Sequence, residues 1–180
     1  MTSIIKVDQI QNAAGGIPTA ADLGLNVSGS VLQVKQGASS SSIVFNLTLG
    51  TGTTIFTGPT ITPSSTSSKI FISFSVQQGS SDGGYANLRL ERNGTAVAIG
   101  DADGSRIQAT TNFRNDLLAS QLSWNNEFLD SPSSTSALTY KLQVYNNTIG
   151  TWYVNRSSAD TNSASQGRTV STITAYEIAG

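Results

Sequence analysis

The segment with the most evident chemical potential is acidic and runs Gly100-Asp-Ala-Asp-Gly104. Alternating carboxylates before a glycine resemble the start of a calcium-binding loop, where the carboxylates supply oxygen ligands and the glycine permits a sharp turn. The twelfth position of such a loop, counted from Asp101, carries Asn112 in place of the acid. An exposed acidic turn is therefore the favoured interpretation, although the sequence leaves open whether Asp101 and Asp103 hold a cation. We predict neither a metal site nor a cofactor.

Aromatic side chains offer a second kind of chemistry, because sugar-binding sites set an aromatic face against a pyranose ring and polar groups around it. Trp152 and Tyr153 are adjacent in a predicted strand, so their side chains point to opposite faces of a sheet. The candidate glycan-binding residues are Trp124, Trp152, Tyr153 and Asn155, with Tyr85 as a further aromatic. The alternative, that both tryptophans anchor the core, is the favoured interpretation of those two residues.

Composition limits the classes of function. The chain has 180 residues, enough for one well-buried domain, and contains neither histidine nor cysteine. This excludes a histidine-dependent catalytic triad and a thiolate metal site. A net charge of -1 with no cluster of lysine and arginine argues against nucleic-acid binding. No apolar run approaches the roughly 18 residues that a membrane-spanning helix needs, so we predict no membrane insertion.

Turn residues separate short runs of β-strand character from residue 29 onward. In Lys69–Val76 large apolar residues alternate with Phe71 and serines, which is typical of a strand with one buried face. Asn93-Gly94 between two runs predicts a two-residue type I′ hairpin. The other strands are predicted near 31–36, 42–49, 53–57, Tyr85–Arg92, Thr95–Ile99, Ala137–Tyr145, Thr148–Val154 and Arg168–Ile178, with one or two more between 117 and 129.

The fold class predicted from these runs is all-β, an antiparallel two-sheet sandwich of eight to ten strands. Jelly-roll topology is the favoured version and an immunoglobulin-like sandwich the alternative, because strand periodicity does not separate them. Residues 1–28 precede the sandwich as a short extended arm, in which Gly15-Gly16 and Pro18 interrupt regular structure. Thr19–Asp22 resembles a capping box for at most one helical turn. Such an arm needs a partner surface to bury its apolar side chains.

Several stretches resemble a known group of proteins. They are Ile-Lys-Val-Asp-Gln-Ile-Gln-Asn at 5–12, the run from Pro18 to Val34, Ile-Thr-Pro-Ser-Ser-Thr-Ser-Ser-Lys-Ile at 61–70, and the ending Glu-Ile-Ala-Gly at 177–180. The resemblance is to tail-fibre-like and virion structural proteins of phages that infect cyanobacteria and other marine bacteria. It covers residues 3–37 and 59–76. It implies a trimeric β-sandwich head on a virion that is assembled in the host cytoplasm.

On this resemblance, residues 1–28 are expected to attach to other phage virion proteins, and residues 29–180 to form the jelly-roll-like head. The apolar residues expected to make the attachment are Ile4, Ile5, Val7 and Ile10. The predicted strand Ala137–Tyr145 carries an aromatic-rich face, and both faces of the predicted strand Arg168–Ile178 are partly apolar, as in a strand between core and neighbour. Tyr140 and Tyr176 are therefore candidates for the homotrimer interface or the adjoining core.

The leading functional hypothesis is a tail-fibre component whose trimeric head binds a host-surface glycan or protein. The alternative is a capsid cement or decoration protein that stabilises the shell. Phage fibres that cleave polysaccharide with two carboxylates form a third class. Those enzymes are usually long solenoids and this chain is short, so we predict that the protein is not an enzyme.

Overall fold

Two antiparallel β-sheets pack face to face, which confirms the predicted sandwich. The computed structural model describes residues 10–11, 14–18, 23, 27–48, 50–80, 84–115, 120–145 and 150–180, and every helix or strand within these ranges is a β-strand. The strands are β1 (Val31–Ser39), β2 (Ile43–Leu47), β3 (Thr53–Ile61), β4 (Lys69–Ser80), β5 (Gly84–Arg92), β6 (Thr95–Val97), β7 (Thr111–Asn115), β8 (Leu122–Asp130), β9 (Leu138–Tyr145), β10 (Gly150–Val154) and β11 (Ser171–Ile178).

The order of the strands identifies the topology. Sheet A runs β1-β11-β4-β10-β2, with β8 also paired to β4, and sheet B runs β3-β9-β5-β6, with β7 also paired to β5. The eight strands β1, β3, β4, β5, β7, β8, β9 and β11, renumbered 1 to 8 along the chain, follow the order 1-8-3-6 in sheet A and 2-7-4-5 in sheet B, and β2, β6 and β10 are additions to this framework. This is the order of a jelly roll, so the favoured topology is confirmed over the immunoglobulin-like alternative.

The hydrophobic core fills the space between the sheets. The inward side chains of β4 are Ile70, Ile72, Phe74 and Val76, all at most 4% exposed, and Leu88, Leu90, Leu142 and Val144 come from sheet B. Trp124 and Trp152 stack with ring centroids 6.1 Å apart inside this core. Burial of these apolar side chains is the main favourable contribution to folding.

Most predicted strands are present with somewhat different ends. β4 continues four residues beyond the predicted Val76, to Ser80. The Asn93-Gly94 hairpin is confirmed, since both residues have positive φ, 48° and 87°, as a type I′ turn requires. The last strand begins at Ser171, three residues later than predicted, and just before it the Thr169 N–H donates to the Asn155 carbonyl at 3.2 Å.

One described strand has no counterpart in the sequence prediction. β7 is polar apart from Phe113, whose ring packs edge-on against Trp124 with centroids 6.0 Å apart. A single apolar residue in five gives no recognisable alternation, so the strand is specified by its partner β5 and not by its own pattern. The predicted helical turn at 19–22, and positions 117–119 and 148–149 of two predicted strands, lie outside the described residues.

The segment before β1 pairs through its backbone with the residue after β11. The Gly29 N–H donates to the Ala179 carbonyl and the Ala179 N–H donates to the Ser30 carbonyl, both at 2.8 Å. These bonds extend the β1–β11 ladder by one step. The division into an arm at 1–28 and a head at 29–180 stays a prediction.

Candidate functional site

A row of four apolar side chains crosses the outer surface of sheet A. We call it the apolar row, and its members are Val34 (β1), Tyr176 (β11), Phe71 (β4) and Leu129 (β8). Each member is the direct register partner of the next, from Val34 to Tyr176, from Tyr176 to Phe71 and from Phe71 to Leu129. Direct partners point to the same sheet face with Cβ atoms about 5 Å apart. The row is therefore continuous across four strands.

The apolar row is open to solvent in the single chain. Val34 and Leu129 at its ends are each 52% exposed, and the two aromatic rings between them are half-buried with centroids 5.9 Å apart. Val31, which is 55% exposed, pairs with Ile178 and extends the apolar surface toward the chain ends. Soluble monomers keep such contiguous apolar patches small, so this surface is a candidate contact site for another protein.

The neighbouring rows on the same face are polar but carry little charge. Gln36, Thr174 and Ser73 form the next row, in which the Gln36 amide donates to the Thr174 hydroxyl at 2.9 Å. The charged residues in these described rows are Lys69, paired with Ile178, and Glu127, paired with Ser73. Neutral hydroxyl groups cost much less to remove from water than charged groups, provided that they find hydrogen-bond partners, so a face with few charges is suited to burial against protein.

The buried carboxylate of Glu177 holds the strands beneath the apolar row together. One oxygen accepts hydrogen bonds from the Ser64 N–H and hydroxyl, both at 2.6 Å, and from the Ser68 hydroxyl at 2.7 Å. The other accepts from the Gln33 amide at 2.6 Å. Burial alone would raise the pKa of Glu177, but the hydrogen bonds outweigh it and lower the pKa below its ordinary value. The ionised group thus links β1, β11 and the loop before β4.

Tyr140 and Tyr176, the two predicted trimer residues, lie on different sheets. Tyr176 is in the middle of the apolar row, where a neighbouring copy could reach it. Tyr140 is fully buried in β9, and its hydroxyl donates to Asp130 at 2.7 Å. Burial first, and then the hydrogen bond to Asp130, raise the pKa of Tyr140. In the single chain Tyr140 therefore belongs to the core, and the part of either residue in a trimer stays a prediction.

The Tyr140 hydrogen bond belongs to a network that joins the two sheets. The Arg92 Nη1 of sheet B donates to both carboxylate oxygens of Asp130 in sheet A, at 2.7 and 2.6 Å. The Asp130 side chain is 7% exposed and that of Arg92 is 25% exposed. This bridge fixes the position of β8 and hence of Leu129, its neighbour in the apolar row.

The four predicted glycan-binding residues do not form a shared exposed surface. Trp124 and Trp152 lie in the core at 3% and 1% exposure, and Asn155 is fully buried. Asn155 donates to the carbonyls of Ser39 and Ser41 at 2.8 and 2.9 Å and so fixes a corner of the fold. Tyr153 is half-buried, with the guanidinium of Arg156 4.4 Å from its ring centroid.

The remaining predicted sites involve the arm and the acidic loop. Ile10 is 52% exposed, while Ile4, Ile5 and Val7 lie outside the described residues. Asp101 and Asp103 are both exposed, and Asp103 forms an ion pair with Arg106. Within the described ranges, no three acidic, histidine or cysteine side chains converge as a metal site would require. No helix in the described part of the chain is long and apolar enough to cross a membrane.

Sequence reasoning identified Tyr176 but missed the apolar row as a unit. The available signal was Phe71, an aromatic residue on a strand face that otherwise carries serines. Alternation within β4 and β11 predicts which face each residue occupies. It does not predict that β1, β11, β4 and β8 are neighbours, and that order is what brings the four side chains together.

Comparisons with known proteins do not place the chain in a family. No protein-family model and no curated protein matches it. A chain in the structure of infectious bursal disease virus, Gx strain, is similar at 19% sequence identity over 85% of this chain, with a TM-score of 0.33. This chain spans 39% of that viral chain. A likeness at this TM-score is too weak to assign either a fold or a function.

Proposed function

We propose that the protein is a structural component of a phage particle, a tail-fibre head that assembles as a homotrimer and binds the host surface. The sequence resemblance over residues 3–37 and 59–76 supports a virion role. The jelly-roll sandwich is compatible with it, because this architecture is common in viral capsid and lectin domains. The proposed role is assembly and binding, without catalysis.

The observation that carries the proposal is the apolar row on sheet A. The outward face of an antiparallel sheet is normally polar, whereas here four apolar side chains stand in register. Full burial of one such side chain stabilises an assembly by about 1.5–3 kcal/mol. The row ends at the edge strands β1 and β8. A threefold arrangement would set the Val34 end of one copy against the Leu129 end of the next, a heterologous contact that closes into a ring.

The proposed attachment arm joins the head near the same surface. Gly29 pairs with Ala179, one step beyond the paired residues Val31 and Ile178. Residues 1–28 would therefore leave the head at the end of β1 and β11 where Val31 pairs with Ile178, beside the apolar row. Their apolar side chains can add to a sheet edge of another virion protein, a common mode of peptide docking. In that arrangement sheet B faces away from the point of attachment.

The decisive experiment locates the protein on purified phage particles. Gold-labelled antibodies against residues 29–180 are expected to mark the tail if the protein is a fibre head. Label spread over the shell would replace this proposal with a capsid cement role. Particles that contain none of the protein would contradict a virion role altogether.

The oligomeric state is tested separately by sedimentation equilibrium of the full-length protein. The expected mass is three times the 18.8 kDa of one chain. A monomer at micromolar concentration would contradict the trimer and leave the virion location to be decided by the labelling experiment.

A further inference from the structure

A groove of about 620 Å³ lies against the outer face of sheet B, on the opposite side of the sandwich from the apolar row. The segment between β6 and β7 forms one wall and the strands β5 and β7 form the other. The lining side chains that matter chemically are Tyr85, Asn87, Asp101, Arg106, Gln108 and Asn112. Small-molecule sites generally have volumes of about 300–1,000 Å³, so the groove is large enough for a short oligosaccharide.

Hydrogen bonds fix the loop wall of the groove in place. The Thr110 N–H donates to the Leu88 carbonyl at 2.8 Å, and Arg89 Nε donates to the Gln108 carbonyl at 2.6 Å. The Gln108 side-chain amide donates to the Gly100 carbonyl at 2.8 Å. The loop is thereby bound to β5 at one end and to itself across its width. A preformed wall lowers the entropic cost of binding a ligand.

The groove presents hydrogen-bond acceptors that the fold does not use. The carboxylate of Asp101 is exposed and has no hydrogen bond or ion pair within the described residues. The Asn112 amide donates to the Asn87 oxygen at 2.7 Å, which leaves the Asn112 oxygen without a partner in the same described part of the chain. Carboxylate and amide oxygens are acceptors suited to sugar hydroxyl groups.

An exposed aromatic ring completes the groove. Tyr85 is 48% exposed, a large fraction for an aromatic residue on a strand, and the guanidinium carbon of Arg114 lies 5.2 Å from its ring centroid. The Arg114 Nη1 also donates to the Tyr85 hydroxyl at 3.4 Å. These contacts orient the ring beside the groove. The negative face of such a ring attracts the C–H bonds of a pyranose.

We propose that this groove binds a neutral saccharide. Sugars combine hydroxyl groups, which need the acceptors and donors found here, with an apolar ring face that fits Tyr85. An acidic sugar or a nucleic acid fits less well, because Asp101 is unpaired while the positive charge of Arg106 is already paired with Asp103. The inference rests on the proposed function for its biological meaning, in which the sugar belongs to the host surface.

The position of the groove on sheet B is compatible with binding of a host-surface sugar. Contacts made through the apolar row on sheet A would leave sheet B accessible. A homotrimer would then present three grooves, and three weak sites that act together gain avidity through effective concentration.

The test uses the full-length protein on an array of defined neutral and acidic bacterial oligosaccharides, followed by titration of the strongest ligand. Tyr85→Ala and Asp101→Asn are each expected to weaken binding at least tenfold. The matched controls are Tyr153→Ala, which removes a tyrosine with an arginine over its ring on sheet A, and Glu127→Gln, which neutralises an exposed carboxylate on sheet A. Both controls are expected to bind as the wild type does.

Three results would overturn the inference: no binding on the array, binding of acidic sugars alone, or groove variants that bind like the wild type. Asp101 is exposed, so its substitution tests binding without threatening the fold, and thermal melting checks Tyr85→Ala. The particle labelling separates this inference from the proposed function. Groove-dependent sugar binding by a protein absent from particles would support the groove and contradict the virion role. Labelled tails together with a protein that binds no sugar would support the virion role and contradict the groove.

Discussion

The outer faces of the two sheets differ although the strands beneath them follow the same rules. Sheet A presents the apolar row and hydroxyl groups, with few charges. Sheet B presents a charged group in which Tyr145 donates to Glu91 at 3.3 Å, Lys141 lies 3.9 Å from the same carboxylate, and Arg89 lies 4.0 Å from the Tyr145 ring. A sheet face covered by protein and a sheet face kept in water would differ in this way.

The difference resides in alternate residues of similar strands. β4 and β5 both bury aliphatic side chains between the sheets. Outward, β4 carries Phe71 and serines, while β5 carries Asn87, Arg89 and Glu91. Folding requires only the inward half of each strand. The outward half is therefore available for assembly on sheet A and for a solvated binding surface on sheet B.

The largest expected effect comes from placing charges in the apolar row. The double substitution Phe71→Glu and Leu129→Glu should dissociate the proposed trimer, because two unpaired carboxylates would be buried at each contact. We expect an association constant at least 100-fold lower, from a loss of about 3 kcal/mol or more. Sedimentation velocity across a concentration series measures it.

The matched control places the same charges on sheet B, with Thr57→Glu and Gln143→Glu on its outer face. This protein should associate as the wild type does. If the sheet B variant dissociates and the sheet A variant does not, the assignment of the two faces is reversed.

Strand periodicity predicted the individual faces well and their combination poorly. The alternation in β4 predicted both the buried set and the outward position of Phe71, because period-two burial is local to one strand. The apolar row depends on four strands that are far apart in sequence, as in the pairing of Tyr176 with Phe71. Register between distant strands is set by the whole core, and a single strand does not encode it.

The groove could not be predicted from the sequence for a related reason. Its loop wall has no periodic pattern and is held by side-chain to backbone bonds, such as that from Arg89 to the Gln108 carbonyl. The partial calcium motif indicated that Asp101 and Asp103 could act together as a pair of ligands. In the structure only Asp101 lines the groove, and Asp103 pairs with Arg106 beside it.

The next effect concerns the link between the faces. Asp130→Ala removes the acceptor of both Arg92 and Tyr140, so a half-buried guanidinium and a buried hydroxyl lose their partner. We expect the free energy of unfolding to fall by about 3 kcal/mol, the low end for a broken buried pair because Arg92 remains partly exposed. Urea denaturation measures it. Glu127→Ala on the same strand is the control and should change stability little. Equal losses in the two variants would contradict the structural role of the bridge.

A smaller effect distinguishes sheet A by its dependence on pH. The pKa of Glu177 lies below its ordinary value of 4.5, so its contribution to stability is full above that pH and is lost as the pH falls through the folded-state pKa. Glu177→Gln should lower the free energy of unfolding by about 2 kcal/mol at pH 7, because hydrogen bonds to a charge are replaced by weaker ones.

The effect of pH on Glu177 is measured by comparing the melting temperatures of the wild type and Glu177→Gln across a pH series. The melting temperature of the wild type should fall more steeply below pH 4.5 than that of Glu177→Gln, whereas Glu127→Gln should follow the wild type. Parallel curves for the wild type and Glu177→Gln would show that Glu177 does not hold the strands of sheet A through its charge.

The smallest expected change in stability is at the groove, and it tests whether the polar residues of the groove contribute to the stability of the fold. The side chains of Arg106 and Asp103 are 77% and 65% exposed, so their ion pair is surrounded by water. We expect Arg106→Ala to change the free energy of unfolding by less than about 0.5 kcal/mol, since solvent screens such pairs. Arg92→Ala, which removes the cation of the bridge between the sheets, should cost several times more. If Arg106→Ala destabilised the protein as much as Arg92→Ala, the charges of the loop wall would be needed to stabilise the fold. The proposed contrast between sheet B as a solvated binding face and sheet A as an assembly face would then no longer hold.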